Sequence, residues 1–194
     1  MNRTTRVAIV HGSYGSPEEN WFPWLAAKLR KDGNYVVVPK FPTPEGQSFA
    51  NWRDVFRSEV GPVQKNMVLV GHSAGPGFIL KMLQESDTPV MGVFLVSGFL
   101  GPLGLKDFDP INEALFGGEF DWERIRKNAG QVRIYNSDND PYVPLEKGKE
   151  LAHNLAVDLI VVKNGGHINA GAGFKEFPQL LEDIRSFIGE SCNE

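Results

Sequence analysis

The sequence predicts a three-layer α/β/α sandwich built around a mostly parallel sheet of about six strands. Six short apolar runs are rich in Val, Ile or Leu, and their hydrophobicity is continuous, which is typical of strands covered on both faces. Segments with apolar residues at helical spacing alternate with these runs from end to end, which favours parallel strands joined by helical crossovers. The length of 194 residues suits a single domain spanning residues 1–194.

The elements follow one another in regular order. The predicted strands are 6–11, 35–39, 67–70, 90–97, 132–135 and 159–162. The predicted helices are 21–31, 48–60, 78–83, 121–127, 145–155 and 177–188, with Asp121 as an N-cap candidate. Segment 98–118 has no clear period and holds five glycines and two prolines. We interpret it as a small cap over a site, with a packed surface excursion as the alternative.

Composition excludes several classes of protein. The net charge is -4 and no run of Lys or Arg stands out, so neither nucleic acid nor an anionic membrane is an expected partner. No stretch approaches the ~18 apolar residues of a membrane span, and the first residues lack a signal-peptide core. The single cysteine, Cys192, is expected in a frayed tail and cannot form an internal disulfide. We therefore expect a cytoplasmic protein.

The strand at 67–70 is followed by Gly71-His72-Ser73-Ala74-Gly75, which matches G-x-S-x-G. In this pattern the serine occupies a strained strand-to-helix turn, and the small residues two positions away avoid collisions with the strand and the helix. The turn raises the Ser73 hydroxyl above the sheet at a helix N-terminus, where free N–H groups favour negative charge. The motif predicts that Ser73 is a catalytic nucleophile.

A serine nucleophile needs a base, and four histidines are available. His167 follows the last predicted strand after two glycines, at the sheet edge where Ser73 should emerge, so we expect it to be the base. His11 ends the first strand and is a candidate for lining the site. His72 adjoins Ser73 and should point away from it, while His153 lies inside a predicted helix.

An acid should orient the base, and the loop after strand 132–135 offers Asp138 and Asp140. Asp140 is the preferred candidate because Pro141 stiffens the backbone after it and because D-x-x-V-P recurs in hydrolases. Asp138 is the alternative, or it caps the turn. The order Ser73, Asp140, His167 is that of α/β-hydrolases.

The tetrahedral intermediate of acyl transfer needs hydrogen-bond donors for its oxyanion. We expect the Ala74 N–H to be one donor and the Ser13 N–H, in the loop after the first strand, to be the other, with Gly12 and Tyr14 as less favoured choices. The pattern Asp138-Asn139-Asp140 lacks the glycine and glutamate of an EF-hand loop, and no His/Cys cluster has zinc spacing. No metal and no cofactor is expected.

Together, the segment 7–15, the helix carrying Trp21, the elbow around Ser73, the Asp140 loop and Gly166-His167 resemble a small serine hydrolase family of the α/β-hydrolase superfamily. That family is typified by the retinoblastoma-binding serine hydrolase and by YdeN-type bacterial proteins. The resemblance covers essentially the whole chain and implies a compact α/β-hydrolase fold with a minimal lid. The retinoblastoma-binding L-x-C-x-E motif is absent, since Glu190 precedes Cys192-Asn193-Glu194 where leucine should stand.

These observations predict a carboxylesterase-like serine hydrolase that cleaves an ester or small amide through an acyl-enzyme. The partner is a small acyl substrate, and protein partners stay unknown. The alternatives are a thioesterase or acyltransferase using the same residues, and a catalytically silent binding module. Eight residues are candidates for binding the substrate: Gly12, Tyr14, Trp21, His72, Phe99, Phe108, Phe116 and Tyr142. For most of the aromatic residues among them, packing in the core is the alternative interpretation.

Overall fold

The computed structural model describes residues 4–191 of the chain. Its six strands form one sheet in the order β2-β1-β3-β4-β5-β6, and every neighbouring pair is parallel. The strands are β1 Arg6–Val10, β2 Tyr35–Val37, β3 Met67–His72, β4 Gly92–Val96, β5 Gln131–Ser137 and β6 Leu159–Val162. The predicted fold class is confirmed. Cys192 and the C-x-E triplet lie outside the described residues.

Helices cover both faces of this sheet. They are α1 Phe22–Lys31, α2 Phe49–Glu59, α3 Gly75–Glu85, α4 Asp109–Phe116, α5 Trp122–Asn128, α6 Leu145–Leu155 and α7 Pro178–Ser191, with a short 3₁₀ helix at Ala170–Ala172. Asp121 is the N-cap of α5, and its carboxylate accepts a hydrogen bond from the Arg124 N–H at 3.0 Å. No helix within residues 4–191 is long and apolar enough to cross a membrane.

The core is divided by the sheet into two layers. Alternate residues of each strand face opposite layers, as the two-residue period of a strand requires. Ile9 and Val70 face the layer formed with α1 and α7, whereas Val10 and Leu69 face the layer formed with α2 to α6. This double covering explains why the strands appear as continuous apolar runs in the sequence.

β3 lies inside the sheet between β1 and β4, and all six of its residues are buried. Because all strands are parallel, the loops after β1, β3, β5 and β6 meet at one edge, where ligands of such sheets bind. This edge carries the residues predicted to be functional.

The segment between β4 and α5 contains α4, a helix that the aperiodic composition of 98–118 conceals. Its start is fixed by Asp109, whose carboxylate accepts hydrogen bonds from the N–H groups of Leu103, Gly104 and Leu105 at 2.8 to 3.1 Å. Leu115 and Phe116 are buried in the core. The segment is thus anchored by its apolar face while its other residues extend over the functional edge.

Candidate active site

Ser73 occupies a tight turn between β3 and α3. It has a positive φ of 59°, a conformation that costs a non-glycine residue about 1–2 kcal/mol. The Ser73 N–H donates a hydrogen bond to the Val96 carbonyl at 2.9 Å, which joins the turn to β4. The serine lies just before the first turn of α3, near its unpaired N–H groups.

The two glycines that flank this turn have no room for a side chain. A Cβ on Gly71 would lie 2.8 Å from Ile79 Cδ1, and one on Gly75 would lie 2.6 Å from the Val10 carbonyl oxygen. These distances are shorter than carbon contacts in folded proteins allow. They give the G-x-S-x-G spacing its steric cause in this chain.

His167 and Asp140 are in direct contact. The distance between His167 Nδ1 and an Asp140 carboxylate oxygen is 2.7 Å, and the Asp140 side chain is fully buried. The other carboxylate oxygen accepts hydrogen bonds from the N–H groups of Tyr142 and Val143 at 2.9 and 3.0 Å. Two backbone donors therefore hold one oxygen of this carboxylate and direct the other oxygen at the imidazole.

Asp138, the alternative acid, takes a different part. It is exposed, and its carboxylate accepts a hydrogen bond from the Asn164 N–H at 2.7 Å. Asp138 thus ties the loop after β5 to the loop after β6. The structure brings Asp140 to His167 and does not bring Asp138 there.

The loop that carries His167 is strongly bent. Asn164, Gly166 and Ile168 all have positive φ, between 46° and 53°. Side chains from the β5 end stabilise the bend, since Ser137 Oγ accepts a hydrogen bond from the Gly165 N–H and Asn139 Oδ1 accepts one from the Gly166 N–H. This bend turns the loop from the sheet margin towards Ser73.

The backbone of His167 is fixed from below by two buried polar side chains. Its carbonyl accepts hydrogen bonds from His72 Nε2 at 2.9 Å and from Ser97 Oγ at 3.2 Å. Because a carbonyl only accepts, the His72 proton must be on Nε2. Burial, followed by repulsion from His167, lowers the pKa of His72 to about 3, so His72 is neutral at physiological pH.

His11 fixes the loop after β1 in a similar way. Its Nε2 accepts a hydrogen bond from the Phe41 N–H at 3.0 Å, so the proton is on Nδ1, which donates to the Gly12 carbonyl at 2.8 Å. Burial lowers the pKa of His11. The Gly12 carbonyl and the Ser13 N–H belong to one peptide group, so His11 sets the direction of that N–H.

Of the candidate oxyanion donors, the Tyr14 N–H is already engaged, because it donates to Thr43 Oγ1 at 2.7 Å. The Ser13 and Ala74 N–H groups form no hydrogen bond within residues 4–191. A Cβ on Gly12 would lie 3.1 Å from Ser73 Oγ, so the backbone of this loop runs beside the serine hydroxyl.

Ser73 and His167 line a common cavity of about 180 Å³, here called the Ser73 cavity. Its open side carries Tyr14 and Tyr142, which are 48% and 46% exposed. The Tyr142 ring packs edge-on against His167 at 5.1 Å between ring centres. The other lining residues are Ser13, Phe99, Leu103, Leu105, Phe108, Asn112, Val143 and Asn169.

The structure corrects the placement of three residues proposed for the pocket. Trp21 is fully buried in the layer with α1, and its indole N–H donates to the Ile168 carbonyl at 2.9 Å. His72 lies beside it beneath the His167 loop. Phe116 packs against Gly77 in the core. All three face the core side of their elements, so they support the cavity walls without lining them. Tyr14, Phe99, Phe108 and Tyr142 do line it.

Sequence reasoning missed Ser97, Gln47 and Asn112. Ser97 and Asn112 are buried polar residues, and each contacts a loop of the site from an element distant in sequence. Asp109-Pro110 is a helix-start signal that would have placed Asn112 on a helix. Nothing local distinguishes Ser97 or Gln47. No group of three potential metal ligands occurs within residues 4–191.

Comparison with known proteins identifies the family of this chain. The Serine hydrolase family model matches residues 7–186. YdeN of Bacillus subtilis (strain 168), whose name describes it as a hydrolase, is 30% identical over 190 residues, which cover 96% of this chain and 98% of YdeN. Serine hydrolase RBBP9 of Rattus norvegicus is 25% identical over 191 residues, which cover 97% of this chain and 98% of the relative.

Solved structures with a similar fold are also known. The crystal structure of the Bacillus subtilis ydeN gene product has a TM-score of 0.87 and 30% identity, covering 96% of this chain and 100% of that one. The esterase RhEst1 from Rhodococcus sp. ECU1013 has a TM-score of 0.68 at 18% identity, covering 96% and 90%, which is a likeness of fold. With the family model covering nearly the whole chain, the protein belongs to the serine hydrolase family and is a serine hydrolase enzyme.

Proposed function

We propose that this enzyme hydrolyses small carboxylic esters or amides through an acyl-enzyme formed on Ser73. The observation that carries the proposal is the 2.7 Å contact between His167 Nδ1 and the buried Asp140 carboxylate, in a cavity that Ser73 also lines. His167 Nε2 and the Ser73 hydroxyl form no hydrogen bond within the described chain, so both groups are available to a substrate. Catalytic hydrogen bonds are often long before substrate binds.

In the proposed first step, Ser73 Oγ attacks the carbonyl carbon and its proton passes to His167 Nε2. Asp140 stabilises the resulting imidazolium and keeps the ring oriented. The carbonyl oxygen becomes an oxyanion, which receives hydrogen bonds from the Ser13 and Ala74 N–H groups. Each such donor contributes about 3 kcal/mol to transition-state stabilisation.

The tetrahedral intermediate then collapses, and the carbon–oxygen or carbon–nitrogen bond to the leaving group breaks. His167 gives its proton to that alcohol or amine, which departs. Water attacks the Ser73 ester next, its proton passes to His167, and the acid is released as the proton returns to Ser73 Oγ. No redox step or co-reactant other than water is needed.

The exposed opening of the cavity favours hydrolysis over acyl transfer. An acyltransferase must exclude water from the acyl-enzyme, yet Tyr14 and Tyr142 at the cavity opening are nearly half exposed. The cavity volume of about 180 Å³ is close to that of cavities that bind a benzene-sized group, so it suits a short acyl group.

Labelling with a fluorophosphonate probe tests this proposal. We expect the adduct on Ser73 by mass spectrometry, and we expect labelling to be lost in Ser73→Ala and strongly reduced in His167→Ala. Ser58→Ala, which removes an exposed hydroxyl on α2, is the matched control and should label like the wild type. A folded wild-type protein that neither labels nor cleaves para-nitrophenyl acetate would contradict the proposal and favour a binding module.

A further inference from the structure

A buried polar network lies between the cap helix α4 and the loop after β1. Gln47 and Asn112 are only 5% and 3% exposed. Gln47 Nε2 lies 2.8 Å from Ser13 Oγ, 3.1 Å from the Ile111 carbonyl and 3.3 Å from Asn112 Oδ1, so its two N–H groups serve three acceptors and one of them is shared. The Thr43 hydroxyl donates to Gln47 Oε1 at 2.7 Å. The network therefore links the cap to the loop that carries the proposed oxyanion donor.

The direction of each hydrogen bond is determined by its partners. Because the Ile111 carbonyl only accepts, the atom of Gln47 facing it must be the nitrogen Nε2. The atom of Asn112 that faces Nε2 must then be the oxygen, since two N–H donors would repel each other. Asn112 Oδ1 also accepts the hydroxyl proton of Ser13 at 2.7 Å. Both donors thus converge on this one oxygen.

This arrangement leaves the amide nitrogen of Asn112 with two unused N–H groups. Asn112 Nδ2 forms no hydrogen bond within residues 4–191, and unlike Asn136 Oδ1 it keeps some contact with solvent. Asn112 lines the Ser73 cavity, so an occupant of that cavity can accept these hydrogen bonds. Accepting two hydrogen bonds at Oδ1 also polarises the amide and strengthens Nδ2 as a donor.

The position of Asn112 indicates which part of the substrate it meets. The opening of the cavity is marked by the half-exposed Tyr14 and Tyr142, whereas Asn112 is nearly inaccessible and belongs to the inner wall. In an acyl-enzyme the leaving group must depart through the opening, while the acyl group stays bound to Ser73. The inner wall therefore faces the acyl group.

We propose that Asn112 is a specificity-determining residue, and that the preferred substrates carry a hydrogen-bond acceptor oxygen in the acyl group. The inference rests on the proposed ester or amide hydrolysis at Ser73. Among the apolar residues that line the cavity, Phe99 and Val143 are buried like Asn112, so they select for a short carbon skeleton while Asn112 selects for the oxygen.

Isosteric ester pairs test this inference. Para-nitrophenyl methoxyacetate and butanoate differ by an ether oxygen in place of one methylene, and the next two longer pairs shift that oxygen along the chain. We expect kcat/KM of the wild type to favour the ether ester at one position by about fivefold or more, as one neutral hydrogen bond provides. The leaving group is the same in every pair, but an ether oxygen near the carbonyl activates the ester inductively. Each kcat/KM ratio is therefore divided by the ratio of the hydroxide-catalysed hydrolysis rates of the same two esters.

Two variants assign the preference to Asn112. Asn112→Asp retains an oxygen for Ser13 and Gln47 but replaces the N–H donors by a carboxylate oxygen, so we expect it to favour the alkyl ester. Asn154→Asp makes the same change in the last turn of α6, far from the network in the fold, and should keep the wild-type preference. In Asn112→Ala, the ratio should fall to about one.

The outcomes are separable. A wild type that cleaves both members of every pair equally would overturn the role of Asn112 while leaving ester hydrolysis intact. An ether preference that appears only when the oxygen is in the alcohol portion, tested with methoxyethyl and butyl acetates, would overturn the assignment to the acyl group. A wild type that cleaves no ester and does not label at Ser73 would overturn the proposed function itself.

Discussion

Replacing His72 should change how the stability of the protein depends on pH. His72 is buried beside Trp21 and beneath His167, and burial lowers its pKa to about 3 from an ordinary value of 6.5. The unfolded chain binds a proton on this ring below about pH 6.5, whereas the folded chain does not. The unfolded state is therefore favoured as pH falls from about 6.5 towards about 3, and stability is lost on the acidic side.

The loss of stability depends on how far the pH lies below the ordinary pKa of histidine. At about pH 4.5, two units below the ordinary pKa, the protonation of unfolded His72 lowers the free energy of unfolding by about 3 kcal/mol relative to pH 7. His72→Gln does not titrate, and its amide nitrogen still offers a donor to the His167 carbonyl. The variant should consequently lose about 3 kcal/mol less than the wild type between these two pH values.

Urea denaturation at both pH values measures this difference, with tryptophan fluorescence as the signal. His153→Gln replaces an exposed histidine of α6 and should behave like the wild type, which controls for the loss of an imidazole as such. If wild type and His72→Gln lose equal stability on acidification, then His72 is not held neutral by burial, and the account of the His167 loop given above is wrong.

Three further variants test separate parts of the site. Asp140→Asn should lower kcat by a factor of about 10⁴ with KM little changed, while Asp138→Asn should retain kcat within about tenfold; equal losses in steady-state ester hydrolysis would contradict the assignment of the acid. Gly75→Ala should destabilise the protein by about 1–3 kcal/mol in urea denaturation, because its Cβ would lie 2.6 Å from the Val10 carbonyl oxygen; an unchanged midpoint would show that the elbow can relax. His11→Phe should lower kcat about tenfold or more at nearly constant KM, because the peptide carrying the Ser13 N–H loses its orienting hydrogen bond; a loss confined to KM would argue against that role.

Most of the sheet was predictable because β1, β3 and β4 are buried on both faces and so consist of unbroken apolar residues. The predicted strand boundaries differ from the observed ones by a few residues where the apolar run continues beyond the last hydrogen bond between strands. The start of α3 was placed at 78, whereas the helix begins at Gly75. The glycines and the proline of its first turn have no helical pattern, although a proline is well tolerated there.

The site residues on loops were found because each follows a strand, and parallel strands end at one edge. Ser73 and His167 could be nominated from order and motif alone. The choice between Asp138 and Asp140 could not be settled in this way, because both lie on one loop two residues apart. Only the folded backbone separates them, since the Asn164 N–H binds one carboxylate and His167 approaches the other.

The pocket was harder to predict, since aromatic residues beside a site support it as often as they line it. Trp21 is an example: it is adjacent to the functional edge but enters the core, where its indole N–H binds the Ile168 carbonyl. Its contribution to function is therefore indirect, through the bent loop of His167. The sequence shows that an aromatic residue is present, but only the structure shows whether its side chain faces the core or the cavity.

Asn112 shows most clearly which site residues cannot be predicted from the sequence. Its partner Ser13 is 99 residues away in the chain, and the orientation of its amide depends on Gln47, whose own orientation depends on the Ile111 carbonyl. Each step requires a contact between distant segments, so no local pattern contains it. The motifs that predict the reaction are local because the chemistry demands a fixed backbone turn at Ser73. Substrate choice depends on contacts between the cap and the core, and these exist only after folding has brought α4 over the sheet.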